Sequence, residues 1–193
     1  SPIAPLTQSG AQDALAGVQN ARATLLAGFT TVRDIGTYRA FVDVALRNAI
    51  NAGIVRGPRM QVAGAYVTVS SGAGEVTGMA ADVSAPADMR RGVANSATEI
   101  RQRVRELLNG GADFIKILAT GAVFTMCTKP GSPEYTEEEL RAAVEEAANY
   151  GTYVAAHAHG AEGIKRAVRA GVRSIEHGSL ADDEALQLMK DRG

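Results

Sequence analysis

The sequence predicts an α/β fold with a parallel sheet, on three observations. Segments with the apolar spacing of a helix alternate with short β-branched or apolar segments along the 193 residues. Four of the short segments are mostly apolar for about five residues and then reach a polar residue. Each of these four also follows a glycine that closes the preceding helix, namely Gly28, Gly111, Gly151 and Gly171. Such βα units build both open doubly wound sheets and (β/α)8 barrels, and the alternation alone fits either.

The elements follow in order along the chain. Helices are predicted over 11–27, 41–52, 97–108, 137–150 and 161–170, and strands over 29–34, 60–69, 113–118, 152–157 and 172–177. Two of the helices begin with a capping box, at Ser96–Glu99 and at Thr136–Glu139. The first ten residues are predicted to form a loop. A (β/α)8 barrel has eight strands and ~250 residues, so five strands would be only part of one.

The composition excludes several classes of protein. Lys plus Arg number 20 and Asp plus Glu 21, a net charge of −1, so no general attraction to nucleic acid or an anionic membrane is expected. The apolar fraction of 46% is too high for a disordered chain. No apolar run reaches the ~18 residues of a membrane span. One cysteine, Cys127, cannot form an internal disulfide. We expect a soluble protein with a small-molecule substrate, and we favour a cytoplasmic location. The sequence is compatible with a homo-oligomer.

The three histidines are clustered. His157, His159 and His177 fall within 21 residues, at the ends of the last two predicted strands. The two-residue period of a strand puts His157 and His159 on one face. Neighbouring parallel strands lie about 4.8 Å apart, so His157 and His177 could reach one ion between them. The alternative is that each is a hydrogen-bonded structural residue.

Two further charged positions lie in predicted strands. Lys116 interrupts the apolar run Phe114–Leu118, where a charge is costly unless it is paired or used. It could reach solvent from an edge strand, form a Schiff base, or bind metal after modification, and the downstream histidines favour the last. Arg33 and Asp34 end the first strand and are interpreted as a structural ion pair or a loop contact.

Several of these segments together carry a family resemblance. They are similar to the central part of the amidohydrolase superfamily, within it to prolidase-like Xaa-dipeptidases and ochratoxinase-type amidases. The similarity covers nearly the whole chain. It implies a metal-dependent, distorted TIM-type (β/α)8 barrel of which residues 1–193 form strands 2 to 6 with their helices. The matching segments are Gly28–Asp34, Phe114–Gly121, Tyr135–Leu140, Val154–Gly160 and Ser174–Gly178.

The resemblance also implies a chemistry. Two divalent ions, usually zinc, would be held by His157, His177 and the catalytic Lys116 carboxylated to a bridging N6-carboxylysine. His159 would face the substrate and contact its carboxylate. A metal-bound hydroxide would attack the carbonyl of an amide or peptide C–N bond. The substrate would be a dipeptide or another small carboxylate-bearing molecule.

The sequence departs from the family pattern in three places. A His-x-His pair at the end of strand 1 would precede Ser1, and an aspartate at the end of strand 8 would follow Gly193, so neither is in this sequence. Many relatives have a histidine where this chain has Ala73. Two alternatives therefore remain: a Schiff-base lyase that uses unmodified Lys116, and a piece of a barrel without a competent site.

Overall fold

The named strands all run parallel in the computed structural model, which describes residues 7–193. The loop predicted for residues 1–10 lies largely outside this part. The helices are α1 (Gly10–Leu26), α2 (Val42–Asn51), α3 (Ala97–Asn109), α4 (Glu137–Asn149), α5 (Ala161–Ala170) and α6 (Asp183–Arg192), with a short 3-10 turn at Ala87–Met89. The strands are β1 (Thr31–Asp34), β2 (Arg59–Val62), β3 (Tyr66–Val67), β4 (Ile115–Leu118), β5 (Val154–Gly160) and β6 (Ser174–Leu180). Within the described residues β1 pairs with β2, and a second sheet has the order β3-β4-β5-β6.

The strand predicted over 60–69 is wrong, because the chain breaks into β2 and β3. Gly64 between them has a left-handed backbone with φ +77°. Its N–H donates to the buried Asp43 carboxylate at 2.8 Å, and Ala65 N–H donates to Ala63 O at 2.9 Å. A segment whose amides bond in this way cannot continue a ladder.

The glycines at the helix ends behave as predicted. All four have positive φ, between 71° and 99°, a conformation that costs glycine little. The last two strands begin later than predicted because the residues after each glycine still close the helix. Thr152 N–H donates to Ala147 O and Val172 N–H to Ala167 O, each at 3.1 Å. Both strands also extend further, so the histidines lie within them rather than at their ends.

Of the two predicted capping boxes, the one at α4 is confirmed and the one at α3 forms only in half. Thr136 and Glu139 form the reciprocal pair of a capping box at the start of α4. Before α3, Ser96 accepts from Glu99 N–H, but the Glu99 side chain accepts from Asn95 N–H instead of Ser96 N–H. Helix α6 was not predicted from the sequence; it begins after Asp182, whose side chain accepts from Ala185 N–H.

The two faces of the four-stranded sheet differ: one packs into the hydrophobic core, and the other carries the candidate site residues. One face packs against helices α3, α4 and α5 through residues such as Ile115, Ile117, Ala156 and Ala158. The other face is the inner face, where Lys116 is in register with Ala155 and Leu118 with His157. Helices outside and polar groups inside are the arrangement of a barrel segment. No helix of the described part is long and apolar enough to cross a membrane.

Candidate metal centre

The three histidines meet on the inner face of the sheet. The ring centroids are 4.6 Å apart for His157 and His159, 4.8 Å for His157 and His177, and 4.9 Å for His159 and His177. One potential ligand atom from each lies within 4.8 Å of the others. In a tetrahedral zinc site with Zn–N bonds of about 2.1 Å, ligand nitrogens are roughly 3.4 Å apart. Small side-chain rotations would therefore bring the three nitrogens to coordination distance.

His177 reaches this cluster through an unusual backbone. Its register partner is Ala158, whose side chain belongs to the outer core. Regular alternation would turn His177 outward as well. Its φ is +75°, Gly178 follows with φ +60°, and the β5–β6 register shifts at this point. The left-handed conformation breaks the alternation, and strain of this kind in a residue other than glycine is concentrated at functional sites.

Lys116 is buried on the same inner face. Its side chain is 1% exposed, and within residues 7–193 its Nζ has no hydrogen-bond partner. The pKa of Lys116 is lowered to about 7, chiefly by burial. Within that value the charge of Glu176 raises the pKa and the charge of Arg33 lowers it. A substantial fraction of the amine is therefore neutral near pH 7, with a lone pair available for bonding.

His157 carries the second buried atom without a partner. The residue is 7% exposed, and its Nε2 has no hydrogen-bond partner in the described part of the chain. Burial lowers its pKa to about 4, with smaller contributions from His159, His177 and Lys116. The imidazole is neutral at pH 7 and free to act as a ligand. Buried polar atoms are nearly always satisfied, so unpartnered Nζ and Nε2 atoms fit a bound metal ion.

His159 differs from His157 because its ring already has a partner. Its Nδ1 is 2.5 Å from Ser179 Oγ, and its backbone N–H donates to Thr120 Oγ1 at 3.0 Å. Burial and His177 lower its pKa. Neither Ser179 nor Thr120 was predicted from the sequence as part of the site. Ser179 follows His177 by two residues and could have been found by treating β6 as a longer strand.

Of the two interpretations of Arg33 and Asp34, the ion pair between them is wrong. Arg33 extends to β6, where Nη2 is 2.5 Å from Glu176 Oε1 and Nη1 is 3.1 Å from Ser174 Oγ. Asp34 instead accepts a hydrogen bond from Gly36 N–H at 3.2 Å. Burial and the neighbouring Asp43 raise the pKa of Asp34 to about 6. Arg33 thus points toward β6 on the inner face, while Asp34 lies among other acidic and aromatic groups.

Known proteins resemble this chain in sequence and in structure. The profile of the amidohydrolase family matches residues 6–193. Ochratoxinase of Aspergillus niger is 35% identical over 86% of this chain and 36% of its own length. A crystal structure of a Xaa-Pro dipeptidase with methionine in its active site has a TM-score of 0.89 and 42% identity, covering 94% of this chain and 45% of the dipeptidase. The crystal structure of A. niger ochratoxinase has a TM-score of 0.88 and 29% identity, covering 100% and 46%. The chain therefore spans less than half the length of these relatives.

Proposed function

Since this chain belongs to the amidohydrolase family, we propose that it supplies part of the metal centre of a hydrolase acting on an amide or peptide C–N bond. The relatives support this class, because one is an ochratoxinase and another a Xaa-Pro dipeptidase. The observation that carries the proposal is the pair of buried, unpartnered atoms, Lys116 Nζ and His157 Nε2, next to the ring of His177. The proposed substrate is a dipeptide or another small molecule with a carboxylate.

Lys116, His157 and His177 are the proposed ligands of two divalent ions. Imidazole nitrogens suit zinc, whereas an ammonium cannot bind a cation. Lys116 becomes a ligand when its neutral Nζ attacks CO2: the Nζ–C bond forms, one C=O bond opens, and an Nζ proton leaves to solvent. The product is an N6-carboxylysine, whose two oxygen donors share one negative charge. When bound, the ions polarise the scissile carbonyl and activate water.

His159 is proposed as a substrate contact rather than a ligand. Its Nδ1 is engaged by Ser179, and its backbone is fixed by Thr120. A ring held in this way keeps one orientation. Being next to the proposed ligands, it is placed to contact the substrate carboxylate while the ions act on the carbonyl.

Further strands are proposed to complete the site. In the described residues β1 and β6 each pair along one edge only. Two cavities, of about 420 and 380 Å³, lie beside β1 and share lining from α1, α2 and Asp34. The relatives are about twice as long as this chain. We propose that strands from a longer chain or from a partner chain pair with these edges in a (β/α)8 barrel that includes residues 1–193.

A Schiff-base lyase is the second candidate function. One observation favours it, namely the pKa of about 7 for the unpartnered amine of Lys116, which is the state of an activated amine nucleophile. Family membership favours the hydrolase. The two differ in whether Lys116 forms a carbamate with CO2 or an imine with a carbonyl substrate.

The test combines metal loading with two assays. The barrel that includes residues 1–193, completed by the longer chain or the partner chain, is incubated with zinc and bicarbonate. Amino-acid release is followed from Xaa-Pro dipeptides and from N-acyl amino acids, with Lys116→Met as the control. The proposal predicts hydrolysis that depends on zinc and is lost in the variant. Hydrolysis that persists in Lys116→Met would contradict it. A borohydride-trapped adduct on Lys116 would establish the lyase, and zinc uptake without hydrolysis would identify a non-catalytic part of the barrel.

A further inference from the structure

The Arg33 side chain connects β1, the first strand of the described residues, to β6, the last. Its guanidinium donates to Ser174 Oγ at 3.1 Å and to Glu176 Oε1 at 2.5 Å, although Glu176 is 143 residues away in sequence. Ser174 Oγ in turn donates to Glu176 Oε1 at 2.9 Å. The Arg33 side chain is 31% and the Glu176 side chain 19% exposed, so the pair is partly buried. The Glu176 carboxylate therefore has two donors on the same oxygen.

Arg33 is also fixed from a third side. Its Cζ lies 5.6 Å from the centroid of the Phe114 ring, a cation–π contact with a fully buried side chain. Phe114 precedes Lys116 by two residues and so shares its face of the chain. This combination of a cation–π contact with two directed hydrogen bonds matches guanidinium, and the ammonium of a lysine could not reproduce it.

Glu176 is an acidic group that acts on Lys116. Lys116 is in register with Ala155, which is in register with Ser174; Glu176 follows Ser174 by two residues on the same face. The electrostatic influence of Glu176 reaches the Lys116 amine, and so does that of Arg33. Yet Lys116 Nζ makes no hydrogen bond within the described residues, although a carboxylate lies in the same interior.

We propose that Arg33, assisted by Ser174, is a positioning residue that holds the Glu176 carboxylate in place and so keeps it from pairing with Lys116. The inference rests on the proposed function, in which Lys116 must be free to react with CO2 and bind metal. A Lys116 Nζ held by Glu176 would be occupied and unavailable for either step. In this proposal Arg33 acts by binding Glu176, the group that competes for Lys116.

The first test is a crystal structure of metal-free Arg33→Met. Without the guanidinium, Lys116 is the cation on which Glu176 already acts, and we expect a Lys116 Nζ to Glu176 oxygen contact at ion-pair distance, below about 4 Å. This readout requires no zinc, so it stands apart from the proposed function. A Glu176 that stays with Ser174 or turns to solvent would overturn the inference. Circular dichroism checks folding, and Ser174→Ala serves as a milder variant in which the same approach is expected in part.

The second test measures zinc uptake in the presence of bicarbonate. Arg33→Met is expected to bind zinc at least about tenfold more weakly than the parent, and Arg33→Met with Glu176→Gln to recover to within about threefold, because the competing charge is gone. Arg33→Lys should fall between. Arg59→Met, which removes a guanidinium bonded to Thr31, is the matched control and should bind as the parent does.

The outcomes distinguish a failure of the Arg33 inference from a failure of the proposed function. If the double variant binds zinc as weakly as Arg33→Met, Arg33 acts through the fold alone and the inference is wrong. If Arg33→Met binds zinc as the parent does, the inference is wrong as well. If the parent takes up no zinc, the proposed function fails, while the crystal structure of the metal-free variant still decides whether Arg33 keeps Glu176 from Lys116.

Discussion

The rings of His157 and His177 lie 4.8 Å apart, although the register partner of His177 is Ala158, whose side chain faces the opposite side of the sheet. The contact exists because His177 has a left-handed backbone, with φ +75°. The energy needed to hold a histidine in this conformation, of order 1 kcal/mol, is supplied by the surrounding structure. The arrangement brings two imidazoles from neighbouring strands to one place.

The three histidines are expected to differ in their contribution to zinc binding. His157→Ala and His177→Ala should each weaken zinc binding by more than about 100-fold, since they remove ligands and not merely supporting groups. His159→Ala should stay within about threefold of the parent, because the proposed ligands are Lys116, His157 and His177 and His159 is proposed to contact the substrate instead. Competition with a chromophoric chelator measures all three. Equal losses in the three variants would show that His159 is also a ligand.

Replacing Lys116 should make the metal-free protein more stable. Its pKa is about 7 in the folded chain against 10.5 unfolded, so the folded state binds the proton less tightly and stability falls as the pH drops from about 10 to 7. Lys116→Met should raise the free energy of unfolding by about 3 kcal/mol at pH 6, with a smaller gain at pH 9. Urea denaturation at the two pH values measures this. A loss of stability at pH 6 would mean that Nζ has a partner.

Asp34 should destabilise the folded chain at neutral pH. Its pKa is raised to about 6, so the protonated form favours folding, and this contribution is present below about pH 4 and lost as the pH rises through 6. Asp34→Asn keeps an acceptor for Gly36 N–H and should stabilise the protein by about 1 kcal/mol at pH 7.5, a figure reduced for partial exposure. The gain should disappear near pH 4. A gain that is the same at both pH values would exclude the carboxylate charge as its cause.

Gly163 on α5 should tolerate no side chain. A Cβ there would lie 2.2 Å from Thr120 Cγ2, and Thr120 accepts the hydrogen bond from His159 N–H. Gly163→Ala should cost about 1–3 kcal/mol through overpacking. Adding Thr120→Ser removes the methyl group but keeps the hydroxyl, and should restore most of the loss. Gly10→Ala, where the nearest contact is at 3.8 Å, is the control. No recovery in the double variant would place the clash elsewhere.

Features set by local sequence could be predicted. The helix 161–170 has the predicted bounds, and the capping box at Thr136 and Glu139 is complete, because both depend on residues within one or two turns. The burial of Lys116 followed from its apolar neighbours. The convergence of His157 and His159 followed from the two-residue period of a strand.

Features that depend on distant parts of the chain could not be predicted. The break at Gly64 is stabilised by Asp43, 21 residues earlier. Arg33 pairs with a carboxylate from the other end of the sheet rather than with its neighbour Asp34. The left-handed backbone of His177 could not be anticipated, since strand periodicity assumes regular pairing.

The central claim is that Lys116, His157 and His177 hold metal together. X-ray diffraction from crystals grown with zinc and bicarbonate, recorded on both sides of the zinc absorption edge, tests it most directly. We predict anomalous density between the three side chains, at about 2.0–2.2 Å from the ligand nitrogens and oxygens, with carbamate density extending from Lys116 Nζ. Zinc-saturated crystals with the anomalous peak elsewhere and an unmodified Lys116 would contradict the claim.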